Sequence, residues 1–152
     1  MEADVKRTLP PGLLLATLLS LAPILPVKAE EARLTLLPVV PPGAGAPAVT
    51  FADHLRRALS APDAVFSLGA TPFDADVLVE VRGAGPAGYR RGAEPGTRIS
   101  FGCRVDARVT SRGSLPTDIQ HRDVSCLEAA DALLRSIERL VHGDRKEGSA
   151  GL

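Results

Sequence analysis

Residues 98–142 read RISFGCRVDARVTSRGSLPTDIQHRDVSCLEAADALLRSIERLVH and contain the clearest periodic pattern of the chain. Between Ile99 and Val109 every second residue is apolar, and the intervening residues are mostly polar or charged. This period of two is typical of a β-strand with one buried face. Residues 111–116 are rich in serine, glycine and proline, so we expect the chain to turn there and to return as a second strand over residues 117–125.

The segment after this second strand has the period of an amphipathic helix. Apolar side chains recur every three or four residues, with charged side chains between them. The apolar set is Leu127, Ala130, Leu133, Leu134, Ile137, Leu140 and Val141. Ser125 and Glu128 have the spacing of a capping box, which predicts that the helix starts there. Residues 98–142 therefore predict a β-hairpin followed directly by a helix that packs on the sheet.

The chain has two cysteines, Cys103 and Cys126, and both lie in this segment. If the hairpin reverses between Ser114 and Leu115, the two cysteines face each other across the strands. Their Cα atoms would then be about 4.5 Å apart, a separation that a disulfide can accept. We therefore predict a Cys103–Cys126 disulfide that bridges the two strands.

This register has two unfavourable consequences. It places Asp106 opposite Asp123, and like charges directly across a strand pair destabilise a sheet. It also turns Gln120 and Arg122 toward the face that carries Cys126. A bulge or a register shifted by one residue would relieve these conflicts, so the sequence leaves the pairing open.

The first 29 residues have the organisation of a secretory signal peptide. The basic residues Lys6 and Arg7 precede an apolar run at residues 13–25, and a small-x-small pattern then ends at Ala29. The run is too short for a membrane-spanning helix, which needs about 20 apolar residues. We expect cleavage after Ala29, a periplasmic or secreted location, and no stable membrane insertion of the mature protein. In such an oxidising compartment a cysteine pair is expected to form a disulfide.

The chain between the signal peptide and residue 98 predicts three further strands and one helix. The strands are expected at residues 33–40, 64–68 and 76–82, and the helix at residues 50–61, opened by a capping box of Thr50 and Asp53. The complete order is βαββββα. It predicts an α+β two-layer sandwich, with a mostly antiparallel sheet of about five strands and two helices on one face.

Composition limits the classes of partner. One domain is expected over residues 30–142 and a disordered tail over residues 143–152. The whole chain has 18 basic and 18 acidic residues, so no bulk charge favours a nucleic acid. The three histidines, His54, His121 and His142, lack the spacing of metal ligands and fit surface or helix-capping roles. We therefore expect no metal, no cofactor, no nucleic-acid partner and no catalytic residue.

Residues 83–88 read GAGPAG, which matches the GxGxxG pattern of dinucleotide-binding turns. That turn needs a helix directly after the glycines, and here a strand is expected instead. We therefore predict a Gly-rich hairpin loop over residues 83–97. A loop of about 15 residues is uncommon, and is usually functional or disordered. Because Tyr89, Arg90 and Arg91 are of types enriched at interfaces, we predict a partner-binding loop, with a disordered spacer as the alternative.

Four segments together resemble a known class of domain: LLPV at residues 36–39, FADHLRRAL at 51–59, DADVLVEV at 74–81 and EAADALLRSIERLV at 128–141. In this order, after a signal peptide, the chain resembles the small α+β domains of bacterial envelope proteins. Examples are the amino-terminal domain of the Tol-system protein TolB and the curli-secretion and penicillin-binding-protein-activator lipoproteins. The resemblance implies a non-enzymatic protein-interaction module that binds another envelope protein. A periplasmic protein that binds a small ligand or a glycan, and a small secreted hydrolase or inhibitor, are the alternatives.

Overall fold

The computed structural model describes the backbone of residues 33–149 and the side chains of residues 33–143. The predicted signal peptide lies outside this range. The elements in chain order are β1 (Thr35–Val39), α1 (Ala46–Leu59), β2 (Ser67–Leu68), β3 (Val77–Gly85), β4 (Gly88–Arg91), β5 (Arg98–Phe101), β6 (Cys103–Ser111), β7 (Thr117–Asp123) and α2 (Cys126–Ser149). The backbone of α2 thus continues as helix into the segment predicted to be a disordered tail.

Five strands form the main sheet, in the spatial order β2, β1, β3, β6, β7, and β4 with β5 forms a second, two-stranded sheet. β1 is parallel to β2 and to β3, whereas β6 is antiparallel to both of its neighbours, β3 and β7. The main sheet is therefore mixed, and its two antiparallel ladders are longer than its two parallel ones. The predicted α+β class and the predicted order of the two helices and the main-sheet strands are both confirmed.

Both helices pack on one face of the main sheet. β3 and β6 turn alternate residues to this face, and all of these are buried: Val77, Val79, Val81, Cys103, Val105, Ala107 and Val109. The helices cover them with Phe51, Leu55, Leu133 and Ile137, which are also buried. Burial of each such large apolar side chain contributes about 1.5–3 kcal/mol. The contact between the helices and the sheet is therefore the hydrophobic core of the protein.

Helix α1 begins earlier than its sequence pattern predicts. Thr50 lies inside the helix, where its hydroxyl donates to the carbonyl of Ala46 at 3.2 Å instead of capping the helix end. The helix starts at Ala46 with Pro47 in its first turn. There the fixed φ of proline suits a helix, and its missing N–H has no intrahelical partner to lose. The predicted capping box of Thr50 and Asp53 is therefore wrong.

Strand β1 holds a proline at a position that the sheet can accept. The carbonyl of Leu36 accepts the N–H of Gly69 on the β2 side. Pro38, two residues on, has its backbone polar atoms on the same side, although it is in register with Val79 of β3. β2 pairs only with the first two residues of β1, so Pro38 lies beyond the end of that ladder and its missing N–H removes no hydrogen bond between strands. The carbonyl of Pro38 accepts a hydrogen bond of 3.2 Å from the guanidinium of Arg56 on α1. This bond supplies the partner that β2 is too short to provide.

The β6–β7 hairpin has a different register from the predicted one. Gly113 adopts a left-handed φ of 80°, and the N–H of Ser114 donates to the carbonyl of Ser111 at 3.1 Å. The chain therefore reverses at Gly113, earlier than predicted. As a result Cys103 pairs with Asp123 rather than with Cys126.

This shift removes both conflicts of the predicted register. Asp106 lies opposite Gln120 instead of an acidic residue. Gln120 and Arg122 are exposed on the face away from the helices, whereas the Nε2 of His121 lies 3.0 Å from the Oγ of Ser136 on α2. β7 has few apolar side chains, so its hydrophobic pattern could not fix the register, and the glycine turn fixed it instead.

The disulfide between Cys103 and Cys126 is present, with Cα atoms 5.0 Å apart. The predicted bond is confirmed, but Cys126 is the first residue of α2, so the bond joins β6 to a helix rather than to a paired strand. Ser125 caps this helix, because its Oγ accepts the N–H of Glu128 at 3.2 Å. The cysteines are 23 residues apart in sequence, and closing a loop of that size contributes roughly 3 kcal/mol in the chain-entropy model.

Candidate protein-interaction site

Strands β4 and β5 pair with each other to form an antiparallel hairpin, which we call the ribbon (residues 88–101). At its turn the N–H of Gly92 donates to the carbonyl of Thr97 at 2.9 Å. Residues 83–97, predicted as one long loop, therefore comprise the end of β3, the strand β4 and a hydrogen-bonded turn. The residues of the predicted partner-binding loop, Tyr89 among them, lie on a strand.

The ribbon exists because the strand predicted from the alternation between Ile99 and Val109 is broken at Gly102, between β5 and β6. Gly102 has a φ of 65°, and a Cβ there would lie 2.6 Å from the carbonyl oxygen of Asp123 and 2.9 Å from the Cβ of Ala87. Glycine is the residue that fits both the left-handed backbone and this close approach. β5 therefore leaves the main sheet at Gly102, although the alternation of apolar residues runs through this point without interruption.

The break places large side chains in solvent. Ile99 and Phe101 are 45% and 51% exposed, although they continue the apolar series of β6, and Tyr89 on β4 is 62% exposed. Phe101 lies with its ring against Gly88, where a Cβ would come within 2.7 Å of the ring. The ribbon thus carries an exposed apolar and aromatic surface that the core does not use.

The pairing register divides the predicted cluster between the two faces of the ribbon. Tyr89 lies opposite Ser100 and Arg91 opposite Arg98, so Tyr89 and the two arginines share one face. Arg90 lies opposite Ile99 on the other face, beside Phe101 and Gly88. Sequence reasoning therefore found Tyr89 and Arg91 but missed Arg98, because that residue read as the polar position of a core strand.

The ribbon is basic. Arg90, Arg91 and Arg98 make no ion pair within the part of the chain that the structure describes. Glu94 is the acidic residue of residues 88–101, and it lies at the turn, where its carbonyl accepts the Thr97 N–H at 3.2 Å. All three arginine side chains are exposed.

The open face of the main sheet is also charged, but its charges engage one another. The guanidinium of Arg108 on β6 donates two hydrogen bonds to the carboxylate of Asp118 on β7, at 2.7 and 3.1 Å. These bonds lower the pKa of Asp118 and raise the pKa of Arg108. Arg82 lies 3.7 Å from the same carboxylate and 2.9 Å from Glu80. This network ties three strands together and resembles a structural feature more than a binding site.

The residues that could suggest metal or nucleotide chemistry are spread through the fold. His54 lies on α1, His121 on β7 and His142 on α2, and no group of three His, Cys, Asp or Glu side chains in the described range is placed to hold a metal. Gly83 and Gly85 belong to β3 and Gly88 to β4, so strands and not a helix flank the GxGxxG pattern. The prediction that these glycines lie in a hairpin loop is wrong, because all three lie on strands.

Comparison with known proteins gives this chain no family. No protein-family model matches it, and no curated protein shows significant sequence similarity. The resemblance to envelope-protein domains therefore stays a prediction. Among the helices of residues 33–149, none combines the length and the apolar character that crossing a membrane requires.

Proposed function

We propose that the protein is exported and acts as a non-enzymatic interaction module for another protein of the cell envelope, with the ribbon as its contact surface. The observation that carries the proposal is the ribbon's combination of three exposed large side chains with three arginines outside any ion pair in the described range. Tyrosine and arginine are among the residue types that dominate binding hot spots. Both present a large, flat contact surface together with hydrogen-bond donors.

The exposed large side chains of the ribbon contribute little to the stability of the folded chain. An isolated two-stranded hairpin is at best marginally stable in water, and it gains stability when a further strand or element covers it. The ring of Tyr89 is 62% exposed, on the same face of the ribbon as Arg91 and Arg98. A partner that covered this ring would gain roughly 25 cal/mol for each Å² of apolar area removed from water.

The charges of the ribbon define the chemistry of its partner. Arg91 and Arg98 lie opposite each other beside Tyr89 on one face. Two neighbouring guanidinium groups suit carboxylates, which they can bind through paired, charge-assisted hydrogen bonds. The partner surface we expect is therefore acidic, with an apolar centre that receives Tyr89.

The disulfide supports the export part of the proposal. Disulfides persist in oxidising compartments such as the periplasm and the medium, and they are rare in the reducing cytoplasm. Export predicts a mature protein that begins at Glu30. Sequencing the amino terminus of the native protein tests this point, and an intact Met1 in a cytoplasmic fraction would contradict it.

The interaction is tested by changing the ribbon and measuring affinity for the partner identified by crosslinking in cells. The double variant Tyr89→Ala/Arg91→Ala should raise the dissociation constant at least about thirtyfold, since a single hot-spot residue is worth about 2 kcal/mol or more. Phe73→Ala is the matched control, because Phe73 is 91% exposed and lies outside the ribbon. It should leave the affinity unchanged.

Circular dichroism of each variant shows whether the fold is intact. A folded Tyr89→Ala/Arg91→Ala protein with undiminished affinity would show that the ribbon is not the contact surface. An equal loss of affinity in Phe73→Ala would indicate that the contact surface lies at the other end of β3, where residue 73 precedes that strand.

A further inference from the structure

Strand β7 forms one edge of the main sheet. Its inner side pairs with β6 from Thr117 to Asp123, and no strand within residues 33–149 pairs with its outer side. The strand at the other edge, β2, has only two residues. An unpaired edge presents a row of N–H and C=O groups to any strand that can lie beside it, and proteins usually protect such edges. β7 is therefore the edge that is long enough for a further strand to join.

The charges of β7 are self-complementary about Gln120. Asp118 and Arg122 lie two residues to either side of Gln120 and point to the same open face of the sheet. If a second copy of β7 lies antiparallel with Gln120 opposite its own copy, Asp118 of each copy lies opposite Arg122 of the other. Opposite charges directly across a strand pair stabilise the pair, whereas like charges destabilise it.

Neighbouring registers lose this match. Centring the pair on Ile119 would put Arg122 opposite Pro116, and centring it on His121 would put Arg122 opposite Gln120. The Gln120 centre also places Ile119 of one copy opposite His121 of the other on the helix side. Charged residues commonly prevent an edge strand from pairing with another chain. The charge pattern of β7 instead favours pairing with a second copy in one register.

Arg122 is the residue that gains from such pairing. Within its own chain it lies opposite Arg104 on β6, an unfavourable like-charge pair. The nearest acid to Arg104 is Asp106, with its carboxylate 3.7 Å away, and Arg122 has no ion pair among the described residues. Asp118 from a second copy would supply the missing carboxylate.

We propose that β7 is the interface of a two-fold homodimer, in which two β7 strands pair antiparallel about Gln120. The contact is isologous, because the same strand serves both copies. It joins two five-stranded sheets into one continuous sheet with all four helices on the same side. The homodimer uses none of the ribbon residues, so it stands independently of the proposed function.

A charge exchange tests the register. Arg122→Asp sets two acidic side chains opposite each other at both ends of the strand pair, and Asp118→Arg sets two arginines opposite each other there. Each variant alone should have its dimer dissociation constant raised at least about tenfold, measured by sedimentation equilibrium of the protein with its disulfide intact. An equimolar mixture of the two variants restores both opposite-charge pairs and should return to a dimer of wild-type affinity.

Arg91→Asp is the matched control, since it makes the same charge change in the ribbon and should leave the dimer intact. Asp118→Arg also removes the partner of Arg108 in its own chain. If thermal unfolding shows that this variant is not folded, Asp118→Arg/Arg108→Asp keeps an opposite-charge pair there and takes its place in the mixture. A wild-type protein that stays monomeric at all concentrations would overturn the proposal, and so would a mixture of folded variants that does not dimerise.

Discussion

The two hairpins of this protein, β6–β7 and the ribbon, differ in what covers them. One face of β6–β7 lies under α2 and is tied to it by the Cys103–Cys126 disulfide. The ribbon has alternating polar and apolar residues as well, yet Ile99 and Phe101 remain about half exposed. Alternation therefore tells which side chains share a face of a strand. Whether that face is buried depends on elements that lie elsewhere in the chain.

The largest effect on the free energy of unfolding should come from removing a phenylalanine of the core, and removal of a phenylalanine of the ribbon provides the comparison. Phe51→Ala takes away a ring that is 1% exposed under the main sheet and should lower the free energy of unfolding by about 3–5 kcal/mol. Phe101→Ala removes a half-exposed ring from the ribbon and should change that free energy by about 0.5 kcal/mol or less. Urea denaturation of both variants measures the difference. Equal losses would mean that the ribbon is part of the core.

Removal of the disulfide should cause the second largest loss in the free energy of unfolding. The double variant Cys103→Ala/Cys126→Ala frees the start of α2 from β6 and should lower the free energy of unfolding by roughly 3 kcal/mol. Reduction of the wild-type protein is the control and should cause a similar loss. Two reactive thiols per chain in the unfolded, unreduced protein would refute the bond.

Much of the fold could be predicted because the side chains that it buries recur along the sequence with the period of a strand or of a helix. The strands β3 and β6 and the apolar stripe of α2 were recognisable from residues such as Val79, Val105 and Leu133, which all lie in the core. The start of α1 was misplaced because a capping-box pattern at Thr50 competed with Pro47, and the proline in the first turn decided the outcome.

The third prediction concerns the residue that separates the two hairpins. Gly102→Ala forces a Cβ to within 2.6 Å of the Asp123 carbonyl oxygen, in a backbone conformation that already disfavours alanine, and should destabilise the protein by about 2–3 kcal/mol. Gly113→Ala is the matched control, because Gly113 also has a positive φ but nothing lies within 4 Å of the added Cβ. It should cost about 1–2 kcal/mol. Equal losses would show that the close approach at Gly102 does not matter.

The smallest effect should come from the ion pair on the open face of the sheet. Arg108 lowers the pKa of Asp118 in the folded protein, so the stabilisation is present above the unfolded-state pKa and is lost as the pH falls through the folded-state pKa. Wild type should therefore be slightly more stable than Asp118→Asn at neutral pH, and the difference should disappear in acid. Melting temperatures across this range provide the test, and a difference that grew in acid would contradict it.

The ribbon could be predicted only in part, and for a physical reason. Tyr89 and Arg91 were recognised by residue type, but Ile99 and Phe101 have the pattern of a buried strand and read as core. The signal that reassigns them is Gly102, whose importance depends on how closely Asp123 and Ala87 approach it. Both neighbours were expected in other places, Asp123 in another register and Ala87 in a loop.

The most direct test of the ribbon as the contact surface is a photo-crosslinking amino acid placed at residue 100 in living cells, because Ser100 is exposed and lies opposite Tyr89 on the face that carries Arg91 and Arg98. Our account predicts a crosslink to one identified envelope protein, and loss of that crosslink when Tyr89→Ala/Arg91→Ala is added. The same probe at residue 73, which is exposed outside the ribbon, should give no such crosslink. A crosslink that persists in the double variant, or that forms equally well from residue 73, would contradict the assignment of the ribbon as the contact surface.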